Sequence, residues 1–294
     1  MNFNQYLQQR NYSVNTIDCY NRLLIPFFDW LKQEQLTVTE MRYANLLAYI
    51  QHASASGNSK RYVTLKITAI RHYLNYLVKT KQVKDNIAAN LFIKGSSRRL
   101  PHDLLSEEEL DAIYTNYKGY GVTGKRNKVI LGLMVYQGLG TEDLTKLEEG
   151  HLQLKEGKIY IPGRRRSNSR TLELKGHQVL DLQEYIGKTR KLILELSEKE
   201  TDKLFISVGK SNRFSNVQAR LLVNLKKYTP QLKTINQIRS SVMANWVRQY
   251  NLREAQYRAG HRYVSSTEKY QQSNVDDLKK DVQSFHPFKA NKKR

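Results

Sequence analysis

The most informative stretch of this chain lies near its C-terminal end and reads Gly260-His261-Arg262-Tyr263-Val264-Ser265-Ser266-Thr267-Glu268-Lys269-Tyr270. It combines a Gly-His corner with a tyrosine nine residues after the histidine. Upstream, residues 236–239 read Asn-Gln-Ile-Arg and open an apolar helical pattern. His261, Arg239 and Tyr270 are therefore the first candidates for chemistry.

The charge of the chain indicates an anionic partner. Its 294 residues are enough for two domains, and 39% hydrophobic residues can supply two cores. The formal net charge is +22 and the isoelectric point is about 9.9. Nucleic acid is the commonest partner for such a chain, and a merely basic, soluble surface is the alternative.

Other features limit the class of protein. Cys19 is the single cysteine, which excludes an intrachain disulfide and a cysteine-based metal cluster, and its apolar helical surroundings predict a core position. The N-terminus resembles neither a signal peptide nor a transit peptide. No run approaches the ~18 apolar residues of a membrane span. We therefore expect a cytoplasmic protein without a membrane segment, in a compartment where DNA is reachable.

Residues 1–95 are predicted to be helical. Ser13 is a suitable N-cap for a long helix, within which Pro26 should cause a kink or a split. A second helix is predicted near Glu40–Ala53, and Ser59 can cap a third. The charged face of this third helix carries Lys60, Arg61, Lys66, Arg71 and Lys79. Such a face is ordinarily only solvated, but in so basic a chain we assign Lys60, Arg61, Lys66 and Arg71 as candidate DNA contacts.

Residues 96–104 are predicted to form a linker, because they are polar and basic and contain Pro101. Ser106 and Glu109 then form a capping box, which indicates that a second domain begins at about residue 105. This domain is predicted to extend to residue 288, followed by a basic, disordered tail over residues 289–294.

The second domain alternates between helical and strand patterns. Apolar helices are predicted at Arg126–Tyr136 and Glu142–Leu147, and the helical pattern returns from Val179. Between them lie three short β patterns, at His151–Leu154, Lys158–Pro162 and Arg170–Leu174. The predicted fold is therefore mainly α with a small antiparallel sheet.

A helical module, a linker and an α+β module with a three-stranded meander resemble the layout of the tyrosine recombinases, the phage-integrase family. The resemblance implies a helical, SAM-like core-binding domain over residues 1–95 and a catalytic domain over residues 105–288. In that family a tyrosine attacks a DNA phosphate, forms a 3′-phosphotyrosine and releases a 5′-hydroxyl. This transesterification needs neither a metal nor a nucleotide cofactor. The family usually works as a homo-tetramer on double-stranded DNA.

Three residues match the family's catalytic positions. Tyr270 matches the nucleophile, His261 the second histidine and Arg239 the second arginine. A planar guanidinium suits this role because it can hold two phosphate oxygens at once. The alternatives are a packed helix tyrosine, a surface histidine and a structural arginine.

Three other positions depart from the family pattern. Gly140 occupies the place of the first arginine, and Asn236 stands where a histidine is usual. The hairpin lysine has no lysine equivalent, since the turn reads Gly163-Arg164-Arg165-Arg166-Ser167-Asn168-Ser169-Arg170. We assign Asn236 and Arg165 to the catalytic set and Arg164, Arg166 and Arg170 to DNA contact.

These departures leave more than one interpretation open. Loss of one charge-stabilising donor costs an enzyme ~10²–10³ in rate, so another cation should replace the missing arginine. The hairpin arginines are candidates, and so is Arg126, for which a structural role is preferred. The chain is interpreted as an active but divergent site-specific recombinase. The alternatives are a DNA-binding relative with reduced or lost cleavage, and an unrelated basic helical regulator.

Overall fold

The computed structural model describes residues 1–95, 101–164, 167–209 and 214–272. The chain divides into two compact units, Met1–Arg98 and Arg99–Arg294. The boundary between them falls within the segment 96–104 that the sequence predicts as a linker. Residues 96–100 and the predicted tail at 289–294 lie outside the described residues. The described part is mainly helical with a small antiparallel sheet, so the predicted fold class is confirmed.

The first unit is built from helices. They are α1 (Phe3–Gln9), α2 (Val14–Gln33), α3 (Tyr43–Ala55) and α4 (Lys60–Lys79). The side chains of Ser13 and Ser59 accept hydrogen bonds from backbone N–H groups in the first turns of α2 and α4, which confirms both predicted caps. Cys19, expected in the core, is half-buried at its edge.

Pro26 does not split α2, which runs from Val14 to Gln33 without a break, and the expected kink stays a prediction. Proline removes one helical hydrogen bond, the one to the carbonyl group of Arg22, and Arg22 is exposed, so water can satisfy that carbonyl. The same helix buries Leu23, Leu24, Phe27, Trp30 and Leu31. Burial of this apolar face outweighs the local cost of the proline.

The second unit combines helices with one sheet. Its elements are α5 (Glu107–Asn116), α6 (Gly121–Gln137), α7 (Thr141–Lys146), β1 (Leu152–Gln153), β2 (Lys158–Ile161), β3 (Arg170–Glu173), α8 (Gly176–Glu184), a π-helical turn (Tyr185–Thr189), α9 (Arg190–Ser197), α10 (Phe214–Lys226), α11 (Ile235–Gln249), α12 (Leu252–Ala259) and helical residues 265–272. The capping box of Ser106 and Glu109 at the start of α5 is confirmed.

The three strands form the predicted meander, in the order β1-β2-β3 and antiparallel throughout. Ile159 pairs with Leu172 and Ile161 pairs with Arg170. All four residues of these two pairs are buried, because alternate residues of a strand share one face. Arg170 therefore begins β3 with its side chain on the core face.

The end of α6 brings the elements of the site together. Its C-cap is Gly138, with φ of +58°, a left-handed conformation that glycine adopts without strain. A Cβ atom at Gly138 would lie 2.7 Å from Cε of Met243 on α11. This close approach allows α11 to pass beside the turn that joins α6 to α7.

Within the described ranges, no helix is both long and apolar enough to cross a membrane.

Candidate active site

A buried carboxylate at the start of α7 holds three arginines together. Asp143 is 2% exposed. Its Oδ1 accepts a hydrogen bond from Arg164 at 2.8 Å, and its Oδ2 accepts from Arg239 at 3.1 Å and from Arg170 at 3.3 Å. Oδ2 also lies 3.2 Å from the backbone nitrogen of Gly140, which it caps. Sequence reasoning missed Asp143, although an acidic residue three positions after an N-cap is a recognisable signal.

Arg239 is fixed by several parts of the second unit. Besides Asp143, its guanidinium donates to the carbonyl oxygen of Gly138 at 2.5 Å and to that of Ala259 at 3.0 Å. These bonds connect α11 to the ends of α6 and α12. The side chain is 17% exposed, so the guanidinium remains accessible at one edge.

Gly140, the position of the missing first arginine, faces Arg239 directly. Its backbone is extended, with φ of −90°, so any residue could adopt it. A Cβ atom there would lie 3.3 Å from Cδ of Arg239 and 3.8 Å from its NH1. The sequence lacks an arginine at position 140, and the structure shows that an arginine there would have extended beside Arg239.

The hairpin between β2 and β3 is docked on the Gly260–His261 turn. Arg164 and Ser167 exchange backbone hydrogen bonds of 2.7 and 3.1 Å, and the backbone N–H of Asn168 donates to the carbonyl of Gly260 at 3.0 Å. Ser167 also forms an isolated β-bridge with His261. Arg165 and Arg166, predicted for catalysis and DNA contact, lie outside the described residues.

Arg164, predicted as a DNA contact, points into the carboxylate cluster. It donates to Glu142, to Asp143 and, through Nε at 3.2 Å, to the hydroxyl of Ser167. The side chain is 18% exposed. Burial lowers the pKa of Arg164, and the positive charge of nearby Arg239, which binds the same carboxylate, lowers it further.

Arg170 was also predicted as a DNA contact, but the structure places it in the interior of the second unit. The residue is 2% exposed because it lies on the buried face of β3. A Cβ atom at Gly260, whose φ is +66°, would lie 2.3 Å from NH1 of Arg170, so the guanidinium fills the space that this glycine leaves. Burial lowers the pKa of Arg170 to about 10, so the group remains charged at neutral pH.

His261 and Tyr270 are brought together by the helical turn after α12. The two rings are nearly parallel, with centroids 6.3 Å apart and planes inclined by 4°. Nδ1 of His261 lies 2.9 Å from the hydroxyl of Thr267. Tyr270 is 4% exposed, and Nζ of Lys269 lies 4.6 Å from its ring centroid. The spacing noted in the sequence therefore corresponds to direct stacking.

His261 is neutral at physiological pH. Burial lowers its pKa to about 3, and the positive charges of Arg239, Lys269 and Arg170 act in the same direction against a smaller opposing effect of Asp143. The ring can therefore donate or accept one hydrogen bond at Nε2, but it cannot supply a positive charge. If the Thr267 hydroxyl donates to Nδ1, Nε2 carries the proton and can donate to a phosphate oxygen.

Because His261 is buried, we predict that the free energy of unfolding of the second unit decreases in acid. A histidine in the unfolded chain titrates near ~6.5. As the pH falls from ~6.5 toward about 3, the unfolded chain binds a proton that folded His261 does not. The free energy of unfolding should therefore decrease by up to ~1.4 kcal/mol per pH unit in that window, with no such contribution above it. Denaturant unfolding of wild type and His261→Gln between pH 7.5 and 5 measures this, and identical pH dependence of the two would contradict it.

Asn236 lies on α11 one turn before Arg239 and is exposed. Residues three apart on a helix share a face, so its amide is on the same side of α11 as the guanidinium. Its catalytic assignment stays a prediction.

The candidate DNA contacts of α4 differ in their exposure. Lys60 and Arg61 are exposed and remain predictions. Lys66 is 6% exposed, its Nζ lies 5.1 Å from the ring centroid of Tyr62, and burial lowers its pKa, so its side chain is largely withdrawn from the surface. Arg71 donates to the carbonyl oxygens of Ala88 at 3.0 Å and Leu91 at 2.5 Å, so it holds the segment after α4, and its contact with DNA stays a prediction.

Arg126, the other candidate replacement for the missing arginine, is structural. It is 5% exposed and donates to the carbonyl of Ile206 at 2.7 Å and to the side chain of Asn127. The preferred interpretation from the sequence is thereby supported. In the part of the chain that the structure describes, no group of three or more His, Cys, Asp or Glu is placed to hold a metal ion.

Residues 103–276 match the sequence family described as the phage integrase family, and residues 1–81 match the phage integrase N-terminal SAM-like domain. The first match spans more than half of the chain. The protein therefore belongs to the phage integrase family, the tyrosine recombinases, and the resemblance inferred from its motifs is confirmed.

Relatives with similar sequences carry the same family name. Tyrosine recombinase XerC of Bacillus pumilus (strain SAFR-032) is 26% identical, and the match covers 97% of this chain and 95% of that protein. Tyrosine recombinase XerD of Oceanobacillus iheyensis is 25% identical over 95% of this chain and 94% of that protein.

Solved structures show the same fold. The XerH site-specific recombinase in a post-cleavage complex with palindromic difH substrate has a TM-score of 0.74 at 17% identity, covering 93% of this chain and 80% of that chain. The Tn1549 transposon integrase in complex with transposon right end DNA has a TM-score of 0.65 at 14% identity, covering 97% and 99%.

Proposed function

We propose that this protein is a site-specific DNA recombinase that breaks and rejoins strands through a 3′-phosphotyrosine on Tyr270. The observation that carries the proposal is the convergence of Arg239, His261 and Tyr270 on one turn. Arg239 donates to the carbonyl of Ala259, immediately before Gly260, and His261 stacks on Tyr270. The family relationship supplies the reaction, and the convergence supplies the groups for it.

The proposed step is a balanced transesterification. The phenolic oxygen of Tyr270 attacks the phosphorus atom and loses its proton. The bond from phosphorus to the 5′-oxygen breaks, and that oxygen takes up a proton to leave as a 5′-hydroxyl. The new phosphotyrosine bond replaces the old phosphodiester bond. A second strand's 5′-hydroxyl reverses the step.

Catalysis at this site depends mainly on stabilising the negative charge of the phosphate oxygens in the transition state. A tyrosine hydroxyl, with an ordinary pKa near ~10, is a weak nucleophile at neutral pH. The site must therefore stabilise the charge that develops on the phosphate oxygens. Among the described residues, Arg164, Arg170 and Arg239 form ion pairs with Asp143 and the exposed Glu142, so this cluster keeps a net positive charge suited to one phosphodiester anion.

A covalent trap tests the proposal. A pool of nicked duplexes with randomised half-sites lets the short strand beyond the nick diffuse away after cleavage, so the protein–DNA adduct cannot religate. We expect a band on a denaturing gel at the summed mass of protein and DNA strand. DNA binding without any adduct across the pool would identify the DNA-binding relative that does not cleave.

We further propose that the protein acts on double-stranded DNA as a homo-tetramer in the cytoplasm.

The affinity for DNA should fall steeply with salt, because each neutralised phosphate releases counterions. If both units contact DNA through 6–10 phosphates, raising salt from 50 to 200 mM should weaken binding by ~10³–10⁵. Fluorescence anisotropy measures this for the whole chain and for its two parts, residues 1–98 and 99–294. An isolated part that binds DNA as tightly as the whole chain would contradict the proposal that both units contact DNA.

A further inference from the structure

We infer that Arg164 takes the place of the missing first arginine and, with Arg239, binds the scissile phosphate. The inference rests on the proposed function, since it assigns a second cation to the same reaction. It differs from the sequence assignment, in which Arg164 was a DNA contact and Arg165 the catalytic hairpin arginine.

The shared carboxylate of Asp143 places the two guanidinium groups side by side. Oδ1 accepts from Arg164 at 2.8 Å and Oδ2 accepts from Arg239 at 3.1 Å. The two oxygens belong to one planar carboxylate, so the arginines are neighbours although they come from a hairpin and from α11. A phosphodiester also presents two non-bridging oxygens, which suits recognition by two adjacent guanidinium groups.

Both arginines keep donors for a ligand. Among the described residues, the bonds of Arg164 to Ser167, Glu142 and Asp143 use three of its five N–H groups. The bonds of Arg239 to Gly138, Asp143 and Ala259 likewise use three of five. With side-chain exposures of 18% and 17%, each can present the rest to DNA at the surface.

The backbone of Arg164 is held in place by hydrogen bonds. Its N–H and C=O groups are both bonded to Ser167, at 2.7 and 3.1 Å. Ser167 and Asn168 dock on the Gly260–His261 turn, Ser167 through a β-bridge to His261 and Asn168 through a hydrogen bond to the carbonyl of Gly260. The same turn carries His261, on which Tyr270 stacks, so Arg164 is held on the side of the site where the nucleophile lies.

The glycine at position 140 makes room for this arrangement. Because a side chain there would begin 3.3 Å from Cδ of Arg239, any cation at position 140 would occupy the space beside Arg239. With glycine, that space and Oδ1 of Asp143 are available to the hairpin arginine. The site thus keeps two phosphate-facing guanidinium groups, one of them from a different element.

The test is the Arg164→Ala variant in single-turnover cleavage of pre-bound nicked DNA. Loss of one transition-state donor should slow adduct formation by ~10²-fold or more, while DNA affinity changes by less than about threefold. Arg253→Ala is the matched control, because Arg253 is exposed on α12 and, among the described residues, donates a hydrogen bond to the side chain of Gln256. We expect its rate to equal that of wild type. Cleavage by Arg164→Ala within about threefold of wild type would overturn the inference.

A neutral substrate distinguishes charge neutralisation from a general loss of structure. A methylphosphonate at the scissile position carries no negative charge on its non-bridging oxygen. If Arg164 neutralises that charge, the defect of Arg164→Ala should shrink at least ~10-fold on this substrate. An equal defect on both substrates would overturn the inference and indicate a structural role.

A double variant distinguishes direct action from support of Arg239. In an Arg239→Ala chain, adding Arg164→Ala should slow cleavage by a further ~10-fold or more if each arginine binds phosphate. No further decrease would show that Arg164 acts only through Arg239 and overturn the inference. Wild type in the same gels separates this from the proposed function: a wild-type chain without adduct overturns both, whereas a cleaving wild type isolates the role of Arg164.

Discussion

Replacement of Tyr270 by phenylalanine should abolish the covalent adduct and leave DNA binding intact. Only the hydroxyl is removed, whereas the ring, which is buried and stacked on His261, keeps its packing. Removal of a covalent nucleophile costs on the order of 10⁶-fold in rate in a well-studied protease. The adduct should therefore fall below detection on a denaturing gel, while the dissociation constant for DNA stays within about threefold.

The matched control is Tyr263→Phe. Tyr263 lies in the same stretch, is 62% exposed and carries no assigned role. Its adduct yield should equal that of wild type. Residual adduct from Tyr270→Phe at a level near that of wild type would exclude Tyr270 as the nucleophile.

Replacement of Asp143 by asparagine should destabilise the second unit and disable cleavage together. The side chain of Asp143 is fully buried and accepts from Arg164, Arg170 and Arg239. Without its charge, three cations are left in a poorly solvated cluster in which, within the described ranges, the exposed Glu142 is the remaining carboxylate paired with them. Breaking a buried ion pair by removing one partner costs ~3–5 kcal/mol of the free energy of unfolding. Since Arg164 and Arg239 both lose an anchor, cleavage should fall by more than in Arg164→Ala.

Chemical denaturation monitored by circular dichroism measures the change in stability, and Glu142→Gln is its control. Glu142 also pairs with Arg164, but its side chain is 80% exposed, and exposed ion pairs contribute less than ~1 kcal/mol. A free energy of unfolding for Asp143→Asn within ~1 kcal/mol of wild type would contradict the central role of this carboxylate.

Local signals in the sequence were sufficient for much of the fold. The caps at Ser13, Ser59 and Ser106 depend on neighbours three residues away, and each forms as predicted. The strand meander depends on short alternating patterns and turns, and it also forms. Pro26 does not split α2, because burial of the apolar face of this helix outweighs the proline's local effect.

The centre of the site was not predictable in the same way. Asp143 lies 21, 27 and 96 residues from Arg164, Arg170 and Arg239, so only the fold brings these charges together. No local pattern reports such a cluster. The family resemblance identified the position of the missing arginine at Gly140, but not the residue that stands beside it in space.

Two basic residues assigned to DNA contact are buried, and the sequence carried a signal for that burial. Arg170 shares the period of two with Leu172 and Leu174, which predicts the buried face of β3. Lys66 lies at helical spacing from Val63 and Ile70, on the apolar face of α4. In both cases the periodicity was a better guide than the charge.

Peptide mapping of the trapped complex tests the central claim most directly. Wild-type protein is trapped on nicked DNA, digested with protease and nuclease, and analysed by tandem mass spectrometry. We predict a single modified peptide, with a nucleotide joined through its 3′-phosphate to Tyr270. A nucleotide joined to any other residue, or a cleaved substrate without a protein adduct, would contradict the account.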